Sequence, residues 1–461
     1  MRSELSSDEA GTEPSRNRKV GILLISCMSL FIVGLDITAV NVALPSIGRE
    51  LDAGISGLQW TVSAYTVVMA SLLMFAGSTA DRFGRKRTFI VGLSVFSVAS
   101  LLCSLAPSVE LLVAFRVLQA IGGSMLNPVA MSIITNTFTD PRERAQAVGV
   151  WGAVFGISMA LGPIVGGTLV SSLDWRSIFQ INIPIGLAAI LLTLRFVPES
   201  RAPRPRRFDP IGQVLVIVML SSLTYGIIEA SAALALSGAA LVALLRYEPR
   251  REEPLVDLRF FRSTPFSSSI AISVAAFAAF GGFLFLNTLY LQDGRGLSPV
   301  QAGVATVPMA LMTVVASPLS GRMVGRRGPR LPLAIAGVCL VTGSAMLTGL
   351  DAATPLAQLI AAYVIFGLGF GFVNAPITNA AVSGMPRAQA GVASAIATTS
   401  RQLGQTLGVA VVGAMAGGVA WWTLTACGAV VLVLGLTATT GRARASARRT
   451  AAALNPEALV A

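Results

Sequence analysis

Four ionisable side chains interrupt long apolar runs or close them: Asp36, Arg116, Arg401 and Glu229. Asp36 stands in L-D-I-T-A-V-N-V-A-L-P, nine residues before Pro45, which is roughly 13 Å along a helix. An ionised carboxylate at that depth is costly, so it is either functional or paired. The chain has no histidine, so proton chemistry must use carboxylates, and Asp36 is the first candidate. Arg116 enters its own run to a similar depth, roughly 10 Å by the same rise. An Asp36–Arg116 pair is therefore expected, serving either proton coupling or structure, because an arginine beside an acid stabilises the charged form. Arg401 falls near the middle of a run and must face a polar cavity or find a partner. Glu229 closes a run, and its position reads as a solvated helix end. Together these groups are expected to line a watery cleft. The four cysteines (Cys27, Cys103, Cys339, Cys427) show no metal-ligand spacing, so no metal site is expected.

The elements that must position these residues follow from composition. The 461 residues are 54% apolar and 12% charged, with a mean hydropathy of +0.73; soluble domains carry about 25% charged residues. Apolar runs of about 20 residues read as membrane helices. The spacing predicts fourteen, over 20–44, 58–79, 87–106, 109–135, 145–171, 177–197, 210–229, 231–247, 267–291, 299–321, 331–350, 355–382, 390–414 and 418–440. No signal peptide is expected, since the first nineteen residues are polar and the first apolar run is long enough to span. The net charge of +12 would suggest nucleic acid in a soluble protein. Here it falls on alternate loops. Of the 34 Lys and Arg, Arg49, Arg176 and Arg295 lie in the loops of one side and Arg116 and Arg401 lie in spans, while the rest lie in the tails and the loops of the other side. That asymmetry predicts an even number of spans with both termini cytoplasmic, and no nucleic-acid partner.

The most basic short loop, residues 77–87, reads G-S-T-A-D-R-F-G-R-K-R. The chain also repeats itself weakly. Arg116, Gly122 and Asn127 correspond to Tyr363, Gly369 and Asn374 at an offset of 247, and Gly149, Gly162 and Gly166 to Gly391, Gly404 and Gly408 at 242. The loop has a decayed copy at 321–328, offset by 244, with Gly325 in place of the acid. Pro- and Arg-rich stretches at 195–209 and 246–265 bracket the seventh and eighth spans. The expected divisions are a tail (1–19), a six-helix bundle (20–198), a linker with two helices (199–266), a second six-helix bundle (267–440) and a second mobile tail (441–461).

The loop pattern G-x-x-x-D-R-x-G-R-K resembles the signature loop of the major facilitator superfamily, with Thr79 where leucine is usual. Further stretches resemble its branch of 14-helix drug:proton antiporters: residues 35–46, R-V-L-Q-A-I-G-G from Arg116, G-P-I-V-G-G from Gly162 (with Ser158 at the preceding small position), and D-W-R-S-I-F-Q-I-N-I-P-I-G from Asp174. The resemblance covers about residues 20–440. It implies an all-α polytopic fold of two six-helix bundles plus two inserted helices, with a site between parallel repeats.

It also implies site roles. Asp36, Arg116 and Glu229 would serve proton coupling. Gly77, Asp81, Arg82, Gly84, Arg85 and Lys86 would form a conformational latch. In it, when the cytoplasmic side is closed, Asp81 faces the helix start at residues 387–391 and Arg85 bridges to Asp140 or Glu143. Gly162, Pro163, Gly166 and Gly167 would let a helix bend and pack closely for gating. Asn41, Trp60, Tyr65, Gln119, Asn127, Asn287, Tyr363, Asn374, Arg401 and Gln405 are candidates for the substrate cavity, each with a plain helix–helix hydrogen bond as its alternative. The function expected from the resemblance is proton-coupled export of amphipathic or lipophilic drugs by a monomer in the inner membrane, with the proton as coupling ion and no cofactor. Arginine dominating over lysine (Lys19 and Lys86 only) points to a GC-rich bacterial genome. An importer of a polar solute on the same fold stays open. A membrane-embedded lipid-modifying enzyme has little support, with no histidine and no phosphate-binding loop.

Overall fold

The computed structural model describes residues 15–202, 208–251, 254–383, 390–415 and 418–454. In hydrocarbon each backbone N–H and C=O must be satisfied within its own segment, which the helix does. The chain accordingly forms α1 (Arg16–Glu50), α2 (Ile55–Phe83), α3 (Arg85–Ser104), α4 (Val109–Thr137), α5 (Pro141–Ser172), α6 (Ser177–Gln180), α7 (Asn182–Phe196), α8 (Pro210–Ile228), α9 (Ala233–Tyr247), α10 (Thr264–Leu289), α11 (Pro299–Ala305), α12 (Val307–Arg327), α13 (Arg330–Ala345), α14 (Leu356–Val382), α15 (Ala390–Ala414), α16 (Val419–Thr437) and α17 (Gly441–Leu454). Among the described residues, eleven segments are long and apolar enough to cross a membrane. Each of the fourteen expected spans is helical. The sixth breaks at Ile181 into α6 and α7, and the tenth at Thr306 into α11 and α12. Local chemistry sets several starts: Asp140 and Asp209 cap α5 and α8, each with proline next, and Ser298 closes a capping box with Gln301.

Helices α1–α7 pack among themselves, as do α10–α16, while α8 lies against α2 and α15. Residues 32–45 of α1 are buried on every side, so α1 is a central helix rather than a lipid-facing one. The repeat is visible in glycine contacts. A Cβ on Gly122 of α4 would meet Phe96 N at 2.5 Å and Gly92 O at 2.8 Å; one on Gly369 of α14 would meet Leu340 N at 2.8 Å and Ala336 O at 3.0 Å. Residues 92 and 96 carry the same offset of 244 to 336 and 340. Likewise Gly162 and Gly166 seat α5 on Thr38 and Ala39 of α1, and Gly404 and Gly408 seat α15 on Val274 and Ala278 of α10.

One expectation changes. The stretch after residue 440 was expected to be mobile, but 441–454 is the helix α17. Its Ser446 Oγ accepts from Thr264 N at 2.8 Å, and Ala443, Ala447 and Thr450 are buried along one face.

Candidate functional site

Five helices (α1, α2, α3, α4 and α7) bring groups to one point inside the first set. Asp36 of α1 takes Arg116 Nη1 from α4 on Oδ2 at 2.5 Å. Its Oδ1 accepts from Gln119 Nε2 at 3.0 Å and from Asn182 Nδ2 of α7 at 3.3 Å. Ser100 of α3 accepts from Gln119 Nε2 at 2.8 Å. Arg116 spends its other donors inside the protein, Nε on Thr61 O at 3.1 Å and Nη1 on Gln119 Oε1 at 2.6 Å, and its guanidinium lies 4.1 Å from the Tyr65 ring centroid. The side chains of Arg116 and Asp36 are 1% and 0% exposed. The expected pair therefore forms, but it does not line an open cleft; it is occluded within the first set. A charge pair so far from water holds only while both partners and their hydrogen bonds stay complete.

Gln119 and Tyr65, expected in a substrate cavity, belong instead to this cluster. Asn182 and Ser100 are site residues that the sequence reading missed. Asn182 sits in I-N-I-P, and an amide in so apolar a stretch was the available signal.

α5 seats beside this cluster. A Cβ on Gly166 would lie 2.9 Å from Ala39 Cα, one helical step from Thr38. The next small residue, Gly167, faces the other set: a Cβ there would lie 2.5 Å from Pro299 O. Gly303 of α11 fits against Pro163 O. The G-P-I-V-G-G stretch thus touches α1 on one side and α11 on the other.

The other expected residues disperse. Asn41 is buried, with Nδ2 on Ile37 O at 2.8 Å and Oδ1 unpartnered. Asn127 Oδ1 is buried and unpartnered. Tyr363 donates to Asn287 inside an aromatic stack with Phe283 and Phe366. Asn374 O accepts from Thr378, and Thr378 Oγ1 accepts from Arg401 Nη2 at 2.6 Å. Gln405 Nε2 is buried and unpartnered. Trp60 leaves the cavity group: its Nε1 donates to Glu229 Oε1 at 2.8 Å, and Ser56 Oγ donates to the same oxygen at 2.6 Å. These two donors hold the Glu229 carboxyl below the usual carboxylate range. Glu229 thus clamps α8 to α2 and shares no partner with Asp36.

The basic loop grips the segment after α7. Gly84 turns the chain at φ +114°, where a side chain is strained. Asp81 pairs with Arg85 at 2.9 Å, Lys86 Nζ donates to Leu194 O at 2.9 Å, Lys86 N donates to Glu199 Oε1 at 3.1 Å, and Arg82 stacks on Phe208 at 5.1 Å. Nothing lies within 4 Å of a Cβ at Gly77. The Arg85 bridge to Asp140 or Glu143 does not form, because Asp140 caps α5 and Glu143 pairs with Lys19 at 2.9 Å. Of the expected Asp81 target at 387–391, residues 387–389 lie outside the described residues.

Oxygen-accepted hydrogen bonds between the two sets gather toward one end, while Gln402 Nε2 reaches Met69 Sδ at 3.6 Å mid-way and Met74 packs on the Ile396 cluster beyond it. Gln59 Nε2 donates to Val409 O and Ala410 O at 3.0 and 2.9 Å, Thr406 donates to Thr66 at 2.7 Å, Gln292 donates to Val42 O at 2.7 Å, and Arg49 meets Asp293 at 3.4 Å. Among the described residues, no hydrogen bond or ion pair joins α1–α7 to α10–α16 at the opposite end, where Gly84 lies.

The family model described as Major Facilitator Superfamily matches residues 26–409. The chain is 36% identical to "Multidrug resistance protein Stp" of Mycobacterium tuberculosis, covering 85% of this chain and 75% of that protein. It is 37% identical to "Tetracenomycin C resistance and export protein" of Streptomyces glaucescens, covering 87% and 76%. In structure it is similar to the peptide transporter POT, with a TM-score of 0.68 at 17% identity over 93% of this chain and 95% of that one.

Proposed function

The chain belongs to the Major Facilitator Superfamily, and from that membership we propose that it exports lipophilic or amphipathic drugs or antibiotics in exchange for protons, by alternating access. It is a multi-pass membrane transporter and not an enzyme. The observation that carries the proton coupling is the Asp36–Arg116 pair. Asp36 is the acid in the interior of the first set, and each of its oxygens is held by donors. A proton arriving on Asp36 removes the counter-charge of Arg116, so the network must rearrange. A proton biases the equilibrium between the two states by the difference of its binding energy in them.

In this reading the Gly84 end is cytoplasmic, as are both termini, because that side holds the basic loops. The hydrogen bonds at the far end support reading this as the cytoplasm-open state. Residues 20–198 and 267–440 rock against each other, so that the α2–α15 hydrogen bonds at the joined end part in each cycle, and α8 and α9 travel with the linker. The protein works as a monomer in lipid, with the proton as its coupling ion.

The test is uptake of a panel of amphipathic dyes and antibiotics into inverted vesicles. Accumulation driven by an acid lumen and abolished by dissipating the gradient is expected. Accumulation indifferent to the gradient, or restricted to polar solutes, would favour the importer instead.

A further inference from the structure

The second set of helices is almost without acid. Between residues 264 and 440 the sequence has two carboxylates, Asp293 and Asp351. Both sit at the end of the bundle remote from Gly84: Asp293 faces Arg49 at 3.4 Å, and Asp351 Oδ1 accepts from Thr354 at 2.9 Å. Arg401 lies mid-way along α15, so its charge has no carboxylate in its own set. The acid in the interior of the other set, Asp36, is already paired with Arg116.

The guanidinium of Arg401 makes do with weak partners. Nη2 donates to Thr378 Oγ1 at 2.6 Å, and the hydroxyl proton of Thr378 goes to Asn374 O at 3.0 Å. The Phe277 ring centroid is 5.9 Å away. Nε is buried with no acceptor. One helical turn further on the same face, Gln405 Nε2 is also a buried donor with no acceptor. Arg401 is half-buried, yet its Nε and the Gln405 Nε2 are shut from water, and two such orphaned donors, one of them charged, are costly unless an acceptor arrives. Beside them, Phe277 and Phe280 pack on Phe370, at 5.2 and 4.3 Å between centroids, and make an aromatic wall.

We propose that Arg401 and Gln405 anchor the anionic head of an amphipathic substrate, a carboxylate or phenolate oxygen, whose apolar body lies along the Phe277–Phe370 wall. This rests on the exporter reading and narrows its substrate class. A planar guanidinium suits a carboxylate because it offers parallel donors as well as charge. The arriving anion supplies the counter-charge that the second set lacks.

The experiment uses the purified full chain with pyrenebutyrate, its methyl ester and a pyrenylbutyl trimethylammonium ion. In inverted vesicles, the wild type is expected to half-saturate with the carboxylate at a concentration about tenfold or more below that for the ester. R401Q should erase that ratio and R401K should keep part of it. An unchanged ratio in R401Q, or wild-type export of the ester and cation but never of the acid, overturns the proposal while leaving the exporter reading intact. In detergent, the carboxylate should raise the wild-type Tm and the ester should not. That arm needs neither transport nor a folded variant, and equal stabilisation by both probes overturns the proposal. If none of the three probes moves under any gradient yet the carboxylate alone stabilises, the anchor stands and the exporter reading fails.

Discussion

Asp36 and Arg116 must be perturbed together to learn what either does. Asp36→Asn alone leaves a buried guanidinium without its counter-charge, and removing one partner of a buried pair costs about 3–5 kcal/mol. Loss of transport in that variant would therefore not separate chemistry from folding. The neutral double variant Asp36→Asn, Arg116→Gln removes both charges and keeps amides beside Gln119 and Asn182. Its Tm is expected to recover toward wild type while pH-driven efflux stays at background. Recovered efflux would make Asp36 a structural residue. At this scale the sequence was legible for the charged pair, since a lone acid and a lone arginine stood out in apolar runs at matching depths. It was not legible for Asn182 and Ser100, and Tyr65 was legible only as a cavity candidate. Those are ordinary residues whose role depends on α7, α3 and α2 arriving at the same point, which no local spacing specifies. Trp60 and Gln119 make the helix–helix hydrogen bonds that were the alternative to a cavity role.

Close approach and buried charge make predictions for individual elements. Gly166→Ala puts a methyl 2.9 Å from Ala39 Cα, a backbone atom that cannot turn aside. It should lower the Tm and slow transport, whereas Gly149→Ala, with nothing within 4 Å, should do neither. Helix propensity favours alanine at both positions, so a drop of the same size in both variants would mean that the close approach of α5 to α1 at Gly166 is not what the glycine serves. The linker has its own titratable group. Glu248, just after α9, is 1% exposed. Burial, and then Asp209, push its carboxyl up to about 7 from 4.5. Arg251 and the nearby N–H groups of Val256 and Leu255 act against that shift. Between those two values the folded protein keeps a proton that the unfolded chain releases, so stability falls as pH rises through the window and is flat above it. At 1.36 kcal/mol per unit the loss is at most about 3 kcal/mol. Glu248→Gln should flatten Tm against pH between 5 and 8, and an unchanged slope would place the titration elsewhere. The run at 441–454 shows what spacing alone can miss. Its buried face is alanine and threonine, too weakly apolar to register beside four arginines, so packing on Thr264 decides its helical state.

The whole molecule shows two related sets of helices joined at one end. The repeat was legible because glycines recur wherever one helix must touch the next, and those contacts are conserved in geometry between Gly122 and Gly369. Which end is closed was not legible, because both arrangements bury similar residues and a sequence carries no record of state. If the sets rock, the joined end must part during each cycle, and Thr66 and Thr406 touch there at 2.7 Å. A variant lacking Cys27, Cys103, Cys339 and Cys427 and carrying Thr66→Cys and Thr406→Cys should cross-link under mild oxidation. Efflux should then stop and return on reduction. The locked protein should still bind substrate from the Gly84 side, because the lock holds the state in which, among the described residues, no hydrogen bond joins the sets at that end. Locked protein that transports at the unlocked rate would show that the cycle proceeds with this end shut, and rocking about a central site would have to be abandoned.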